Sequence, residues 1–306
     1  MSSRESAFID RLRSFASDPA ARGLVDDCAV LSFGSRDIVL THDMLVEGVH
    51  YLADDPPGDV AWKLVAVNLS DLAAKGARPI GVLLGYPLGE SDWDQSFADG
   101  LEKVLAAFDV PLLGGDTVSG AGPRQIGLTA IGEVESGAAP SRAGAQAGDL
   151  LCVTGVIGAA GLGLQAALRG DEGSGFIAAY RRPHPRLIEG RILAPHAHAM
   201  ADISDGLLID AARIAAASGI AVHVELESIP LPPGAARDSE ARTTAATAGD
   251  DYELIFAWPA DLTLPQLETT TITIVGAFRE GKRLALTDGG KIVPLPRKLG
   301  YEHGAS

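Results

Sequence analysis

The stretch Met200-Ala201-Asp202-Ile203-Ser204-Asp205-Gly206-Leu207-Leu208-Ile209 reads as a short apolar strand that ends in two acids around a serine and passes, through a glycine, into a helix reaching Ser218. Strand, acidic turn and helix in that order form a unit of α/β architecture. One acid is enough to cap a helix, with Ser204 or Asp205 accepting the first backbone N–H groups. Two acids where free N–H groups and the helix dipole favour negative charge also make a corner suited to phosphate and a metal ion.

Outward from that corner the theme repeats. Asp27 lies in Val25-Asp26-Asp27-Cys28-Ala29-Val30, Asp43 closes Leu40-Thr41-His42-Asp43, Asp71 lies in Asn68-Leu69-Ser70-Asp71, and Asp116 in Gly114-Gly115-Asp116-Thr117. Carboxylates gathered at strand tips raise the cost of ionising one another. Mg2+ resolves this, because it takes oxygen ligands, keeps several waters and shares its site with substrate phosphates. A magnesium-bound nucleotide is the expected ligand.

The layout supports an α/β reading on both sides of one break. Ala29–Ser32 and Asp37–Thr41 read as strands joined by Gly34-Ser35-Arg36, with Asp43 expected where the second strand ends. Val60–Ala77 fits a helix that stops at Gly76 and carries Asn68, Asp71 and Lys75 on one face. Strand Ile80–Leu88, helix Asp92–Phe108, strand Val110–Leu113 running into a Gly114-Gly115 turn, and strand Gln125–Glu135 follow. Ser136–Gly148, rich in Ala, Gly, Ser and Pro, marks a boundary, giving domains 1–138 and 139–306. The second contains strand Leu150–Thr154, helices Ala160–Arg169, Arg186–Ala194 and Leu207–Ser218, and strands Ala221–Leu226, Tyr252–Trp258 and Thr271–Ala277. An opening amphipathic helix has Phe8, Ile9, Leu12 and Phe15 on its apolar side.

Composition narrows the function classes. With 40 acidic and 25 basic residues the chain carries a net charge of −15, which disfavours nucleic acid or an anionic membrane as partner and requires metal to screen a phosphate ligand. Cys28 and Cys152 show no metal or redox spacing and are expected as buried thiols. The N-terminus lacks the pattern of a signal peptide, and no apolar run reaches membrane-spanning length, so a cytoplasmic location is expected.

Three further motifs matter. Gly114-Gly115 offers a backbone that a phosphate can approach beside the Asp116 carboxylate, though a simple turn explains it equally. In Gly249-Asp250-Asp251-Tyr252-Glu253, Glu253 begins a strongly apolar strand and is a poor fit to a purely solvated role. Gly155-Val156-Ile157-Gly158 and Gly161-Leu162-Gly163 are at most faint phosphate loops, without the spacing of a dinucleotide fingerprint or a P-loop. His50 stands beside an acid motif, but by base rate such a histidine is structural or on the surface.

In this order the motifs resemble the thiamine-monophosphate kinase family, of the superfamily that includes aminoimidazole ribonucleotide synthetase and selenophosphate synthetase. The similarity runs from Asp26-Asp27-Cys28-Ala29 through Thr41-His42-Asp43-Met44-Leu45-Val46-Glu47-Gly48-Val49-His50, Asn68-Leu69-Ser70-Asp71, Gly114-Gly115-Asp116-Thr117, Asp202-Ile203-Ser204-Asp205-Gly206 and Gly249-Asp250-Asp251-Tyr252-Glu253 to Gly300-Tyr301-Glu302-His303. Val25 stands where the family usually has glycine, and His42 where threonine is common.

The resemblance implies a two-domain α/β (α+β) fold of the aminoimidazole ribonucleotide synthetase type, whose N-terminal sheet domains pair in a homodimeric β-barrel platform. It implies γ-phosphoryl transfer from ATP to thiamine monophosphate, giving thiamine diphosphate. Asp27, Thr41, His42, Asp43, Asp71, Asp116, Asp202 and Asp205 take metal positions; Gly115, Asp116, Arg142 and Ser204 take ATP positions; and His50, Glu253 and Tyr301 take acceptor positions.

The chemistry suits these residue types. A phosphate monoester has a second pKa near 6, so the attacking oxygen is already ionised and neither a general base nor a covalent nucleophile is expected. Catalysis reduces to alignment and charge neutralisation. The rivals are a sister ATP-dependent synthetase of the aminoimidazole ribonucleotide or selenophosphate type, the latter calling for a reactive cysteine that the chain does not place suitably, and a non-catalytic magnesium-nucleotide-binding module.

Overall fold

A computed structural model describes residues 4–303. Helix α1 (Arg4–Arg13) leads through a 3-10 turn to the hairpin β1 (Ala29–Phe33) and β2 (Arg36–Val46), followed by α2 (Pro57–Ala74), β3 (Arg78–Leu88), α3 (Ser91–Phe108), β4 (Leu112–Ser119) and β5 (Gln125–Glu135). Beyond an irregular stretch come β6 (Leu150–Thr154), α4 (Ala159–Leu168), α5 (Ile177–Arg181), α6 (Leu187–Leu193), β7 (Ala199–Asp202), α7 (Leu207–Ser218), β8 (Ala221–Glu225), α8 (Ser239–Thr247), β9 (Leu254–Trp258), β10 (Ile272–Arg279), β11 (Leu284–Asp288) and β12 (Lys291–Val293).

Two mixed sheets result. The first has five strands in the order β1-β2-β5-β3-β4, antiparallel except where the β3–α3–β4 crossover makes its strands parallel. The second has seven, in the order β12-β11-β8-β10-β6-β9-β7, with β8 and β11 its parallel pair. Helix α2 joins them. Its sequence is apolar on nearly all sides, and from Val60 to Ala74 only Trp62 escapes full burial, as expected of a helix with protein on every face. Val60, Leu64, Val67 and Leu72 pack in the core of the first sheet, while Ala73 and Ala74 join Leu193, Met200, Leu254 and Phe256 of the second.

Two boundaries differ from the sequence reading in ways that matter. Asp43 does not end its strand: β2 continues to Val46, and Asp43 pairs with Leu128 within the sheet. Gly114-Gly115 is not a turn but the middle of β4, beside Leu83 and Leu84 of β3. A Cβ on Gly115 would fall 1.9 Å from the Leu84 carbonyl oxygen, so glycine is required by close strand approach. The structure adds α8 and the β11–β12 hairpin, which are too short to show a clear periodicity. Both cysteines are buried free thiols. Among the described residues no helix is long and apolar enough to cross a membrane. The phenylalanines of the opening amphipathic segment, Phe8 and Phe15, are both exposed.

Candidate active site

A cavity of about 1070 Å³ opens between the two halves, with α2, β2 and β7 at its floor and α4, α8 and the chain end around it. Asp27, Asp43, Asp71, Arg142, Asp202, Ser204, Asp205, His50 and Tyr301 all line it. Residues nearly three hundred positions apart are therefore brought to one wall.

At its floor, Asp27, Asp71 and Asp202 each offer an oxygen within 4.8 Å of the others. The Thr41 hydroxyl donates to Asp71, and the Ser70 hydroxyl donates to Asp202 at 2.6 Å. Burial, with repulsion from Asp43, Asp202 and Asp27, drives Asp71 well above the carboxylate range. Burial and the nearby Asp27 push Asp202 to about 8, and burial raises Asp43 against the pull of His42. Asp27 is buried with neither carboxylate oxygen in a hydrogen bond, although Lys75 Nζ lies 2.6 Å from one and Arg142 touches the other. Converging acids that burial resists ionising fit a divalent cation.

Local structure holds these groups in place. Asn68, fully buried, ties α2 to β2: its Oδ1 accepts from Asp43 N–H at 3.0 Å while its Nδ2 donates to the Leu64 carbonyl at 2.9 Å. Asn68 is thus a splint rather than part of the wall. The turn at 202–206 and the loop at 249–253 are stitched by Asp250 N–H to Ser204 O, 2.8 Å, Tyr252 N–H to Ile203 O, 2.9 Å, and Ile203 N–H to Glu253 O, 2.8 Å. Neither Ser204 nor Asp205 caps α7. Asp210, one turn inside, reaches back to the N–H groups of Asp205 and Gly206 at 3.2 Å, leaving Asp205 to pair with Arg213 at 2.5 Å. The chain end docks on the same turn through Tyr301 N–H to Asp205 O, 2.9 Å. A side chain at Gly300 would strike Ile209 at 2.4 Å.

Part of the wall is aromatic. The His50 and His303 rings lie 5.3 Å apart, and Tyr301 meets His303 edge-on at 4.9 Å. His50 Nδ1 accepts from Val46 N–H at 3.0 Å, which leaves the proton on Nε2. Burial and the neighbouring His303 lower its pKa, so at neutral pH it is an uncharged donor. Below it Lys63, almost wholly buried, donates to the His50 carbonyl at 2.9 Å and to Asp250 at 2.7 Å.

Not every expected residue faces the cavity. Thr41 is buried behind Asp71. His42 points to the other side of the sheet, where its ring meets Thr129 at 2.9 Å. The register that aligns Asp43, Leu128, Leu84 and Gly115 puts Asp116 one residue on, exposed on that same outer side. Glu253 is buried outside the cavity wall, gripped by Arg186 at 2.7 Å and 2.5 Å and accepting from Thr154 at 2.6 Å. The N-terminus of α4, in the faint phosphate-loop region, is capped by Asp251, which accepts from Gly158 N–H at 2.7 Å. Lys75, Lys63, Arg186 and His303 were not assigned roles by sequence. Only Lys75, one turn beyond Asp71, and His303, within the final motif, carried a signal.

The family model for AIR synthase related protein, N-terminal domain, matches residues 25–134, and that for AIR synthase related protein, C-terminal domain, matches residues 146–288. The thiamine-monophosphate kinase of Caulobacter vibrioides is 41% identical, the alignment covering 94% of this chain and 86% of the relative. The chain belongs to the thiamine-monophosphate kinase family. The thiamine-monophosphate kinase of Salmonella typhimurium is 38% identical over 98% of this chain and 96% of its own length. Among solved thiamine-monophosphate kinase structures, AaThiL complexed with AMPPCP and TMP superimposes with a TM-score of 0.85 at 28% identity, covering 97% of each chain. The two-domain mixed α/β fold is that of this kinase family.

Proposed function

We propose that this protein transfers the γ-phosphoryl group of ATP to thiamine monophosphate, forming thiamine diphosphate by direct in-line displacement. The observation that carries the reading is the pairing, in one cavity, of the Asp27–Asp71–Asp202 cluster with an aromatic wall of His50, Tyr301 and His303. Asp27, Asp43, Asp71, Asp202 and Asp205 hold Mg2+, with Thr41 positioning Asp71. When bound, Mg2+ neutralises the phosphate chain and draws charge from the transferring group.

The remaining roles belong to the chain. Arg142 lines the cavity with a buried Nε that has no hydrogen-bond partner, which suits it to phosphate. Ser204, at the α7 corner, faces the same space. His50 offers its Nε2–H to the acceptor, and Tyr301 gives a face on which a cationic thiazolium can rest. The acceptor phosphate, already ionised at neutral pH, needs no base.

The proposal extends to assembly. In the single chain the outer side of the first sheet exposes Leu31, Phe33, Met44, Leu83, Leu113 and Val118, an apolar surface of the kind that marks an interface. A homodimer that closes a barrel there would cover it, and would enclose His42 and Asp116, whose metal roles depend on that covering, while Gly115, one residue before Asp116, keeps its ATP role through its backbone. Domains 1–138 and 139–306 then share each site. A cytoplasmic enzyme with no nucleic-acid or membrane partner completes the reading. The test is an acceptor panel with Mg-ATP, using thiamine monophosphate, thiamine, pyridoxal phosphate and a ribonucleotide. Turnover confined to thiamine monophosphate is expected, and turnover only with another acceptor overturns the assignment.

A further inference from the structure

Lys75 sits one turn past Asp71 on the face of α2 that meets the acidic floor. Its side chain is wholly buried, and its Nζ lies 2.5 Å from Asp26 Oδ1, 2.6 Å from Asp27 Oδ2 and 3.2 Å from the Met200 carbonyl oxygen. Two carboxylates and a backbone carbonyl, away from water, are a donor set that a hard divalent ion accepts. A lysine is kept so deep only when opposite charge surrounds it.

The second oxygen of Asp26 is also taken. Arg22 holds it at 2.6 Å and, with the same guanidinium, binds the Ala139 and Pro140 carbonyls at 2.9 Å. Asp26 does not line the cavity, whereas Asp27 does. Both acids are met by cations, Asp26 by Lys75 and Arg22 and Asp27 by Lys75 and Arg142, but only Asp27 also lies on the cavity floor within reach of Asp71 and Asp202.

We propose that Lys75 is a resident cation of this centre: it permanently fills a position between Asp26, Asp27 and the Met200 carbonyl that a divalent ion would otherwise occupy, and so confines metal uptake to the Asp27–Asp71–Asp202 side. Lys75 is a positioning residue here, acting through Asp27 and touching neither substrate. The inference rests on the metal reading given under the proposed function.

The test counts Mn2+ bound per chain, by equilibrium dialysis with electron paramagnetic resonance of the free ion, in the wild type, Lys75→Met and Asp26→Asn. Lys75→Met is expected to bind one more Mn2+ than the wild type, and its melting temperature to rise more on adding Mn2+. Asp26→Asn is expected to bind the wild-type number. An unchanged count in Lys75→Met overturns the proposal, as does the loss of one ion in Asp26→Asn, which would make Asp26 a metal ligand. Should Lys75→Met not fold, the Asp26→Asn count decides. Wild-type protein that binds no Mn2+ would remove the metal reading and this inference together, while the extra-ion result leaves the acceptor panel untouched.

Discussion

Asp202→Asn should make the metal-free protein more stable while abolishing its response to Mg2+. The asparagine keeps the shape and can still accept the hydrogen bond that Ser70 donates at 2.6 Å. What it removes is a charge that burial and Asp27 oppose, pushing the carboxyl up to about 8 from its ordinary 3.8. Because the folded pKa lies above the unfolded one, the folded chain binds the extra proton. Stability from this group is complete below about pH 4 and is lost as pH rises towards 8. Integrating the linkage relation, the burden is about 2 kcal/mol at pH 5 and about 5 kcal/mol at pH 7.5. The advantage of Asp202→Asn over the wild type should therefore widen by about 3 kcal/mol between those pH values in urea unfolding with EDTA. Adding Mg2+ should return most of the lost stability to the wild type and little to the variant. A gap independent of pH in EDTA, or equal stabilisation of both proteins by Mg2+, would refute the reasoning.

Other outcomes follow from the same geometry. His50→Ala should raise KM for thiamine monophosphate about tenfold with a smaller effect on kcat, since one neutral hydrogen bond and a ring contact are lost. In the wild type, that KM should climb only as pH falls below the ordinary histidine range, because the lowered pKa keeps the ring neutral above it; steady-state kinetics across pH checks both. Glu253→Gln should lower stability by about 3 kcal/mol in denaturant titration, by leaving the Arg186 guanidinium buried without its counter-charge. A variant that unfolds like the wild type but binds the acceptor weakly would instead return Glu253 to substrate contact. Asp116→Asn should cut turnover at least about 100-fold with the fold intact, and wild-type rates would remove it from the metal set.

The acid-bearing motifs were legible because each interrupts a strong apolar pattern, and a carboxylate beside Gly, Ser or Thr at such an interruption has few structural reasons to recur, although Asp43 and Asp116 prove to lie within strands and Asp71 within a helix rather than at turns. The strand–turn–helix at Asp202 and helix α2 were readable for the same reason, their periodicity being long and clean. Orientation was not readable. A two-residue period says that neighbours face opposite ways, but which way depends on register, so Asp43 and Asp116 could not be told apart until β2, β5, β3 and β4 were aligned. Long-range counter-charges were equally hidden. Arg186 follows a proline and shows no motif, yet it takes the Glu253 carboxylate, and Arg22 reaches across more than a hundred residues to the 139–140 carbonyls.

The most direct measurement incubates purified protein with Mg-ATP and thiamine monophosphate and quantifies thiamine diphosphate and ADP by chromatography, with a parallel sample in EDTA. The account predicts one thiamine diphosphate for each ADP, and neither product in EDTA. ADP without thiamine diphosphate, or equal product formation in EDTA, would contradict it.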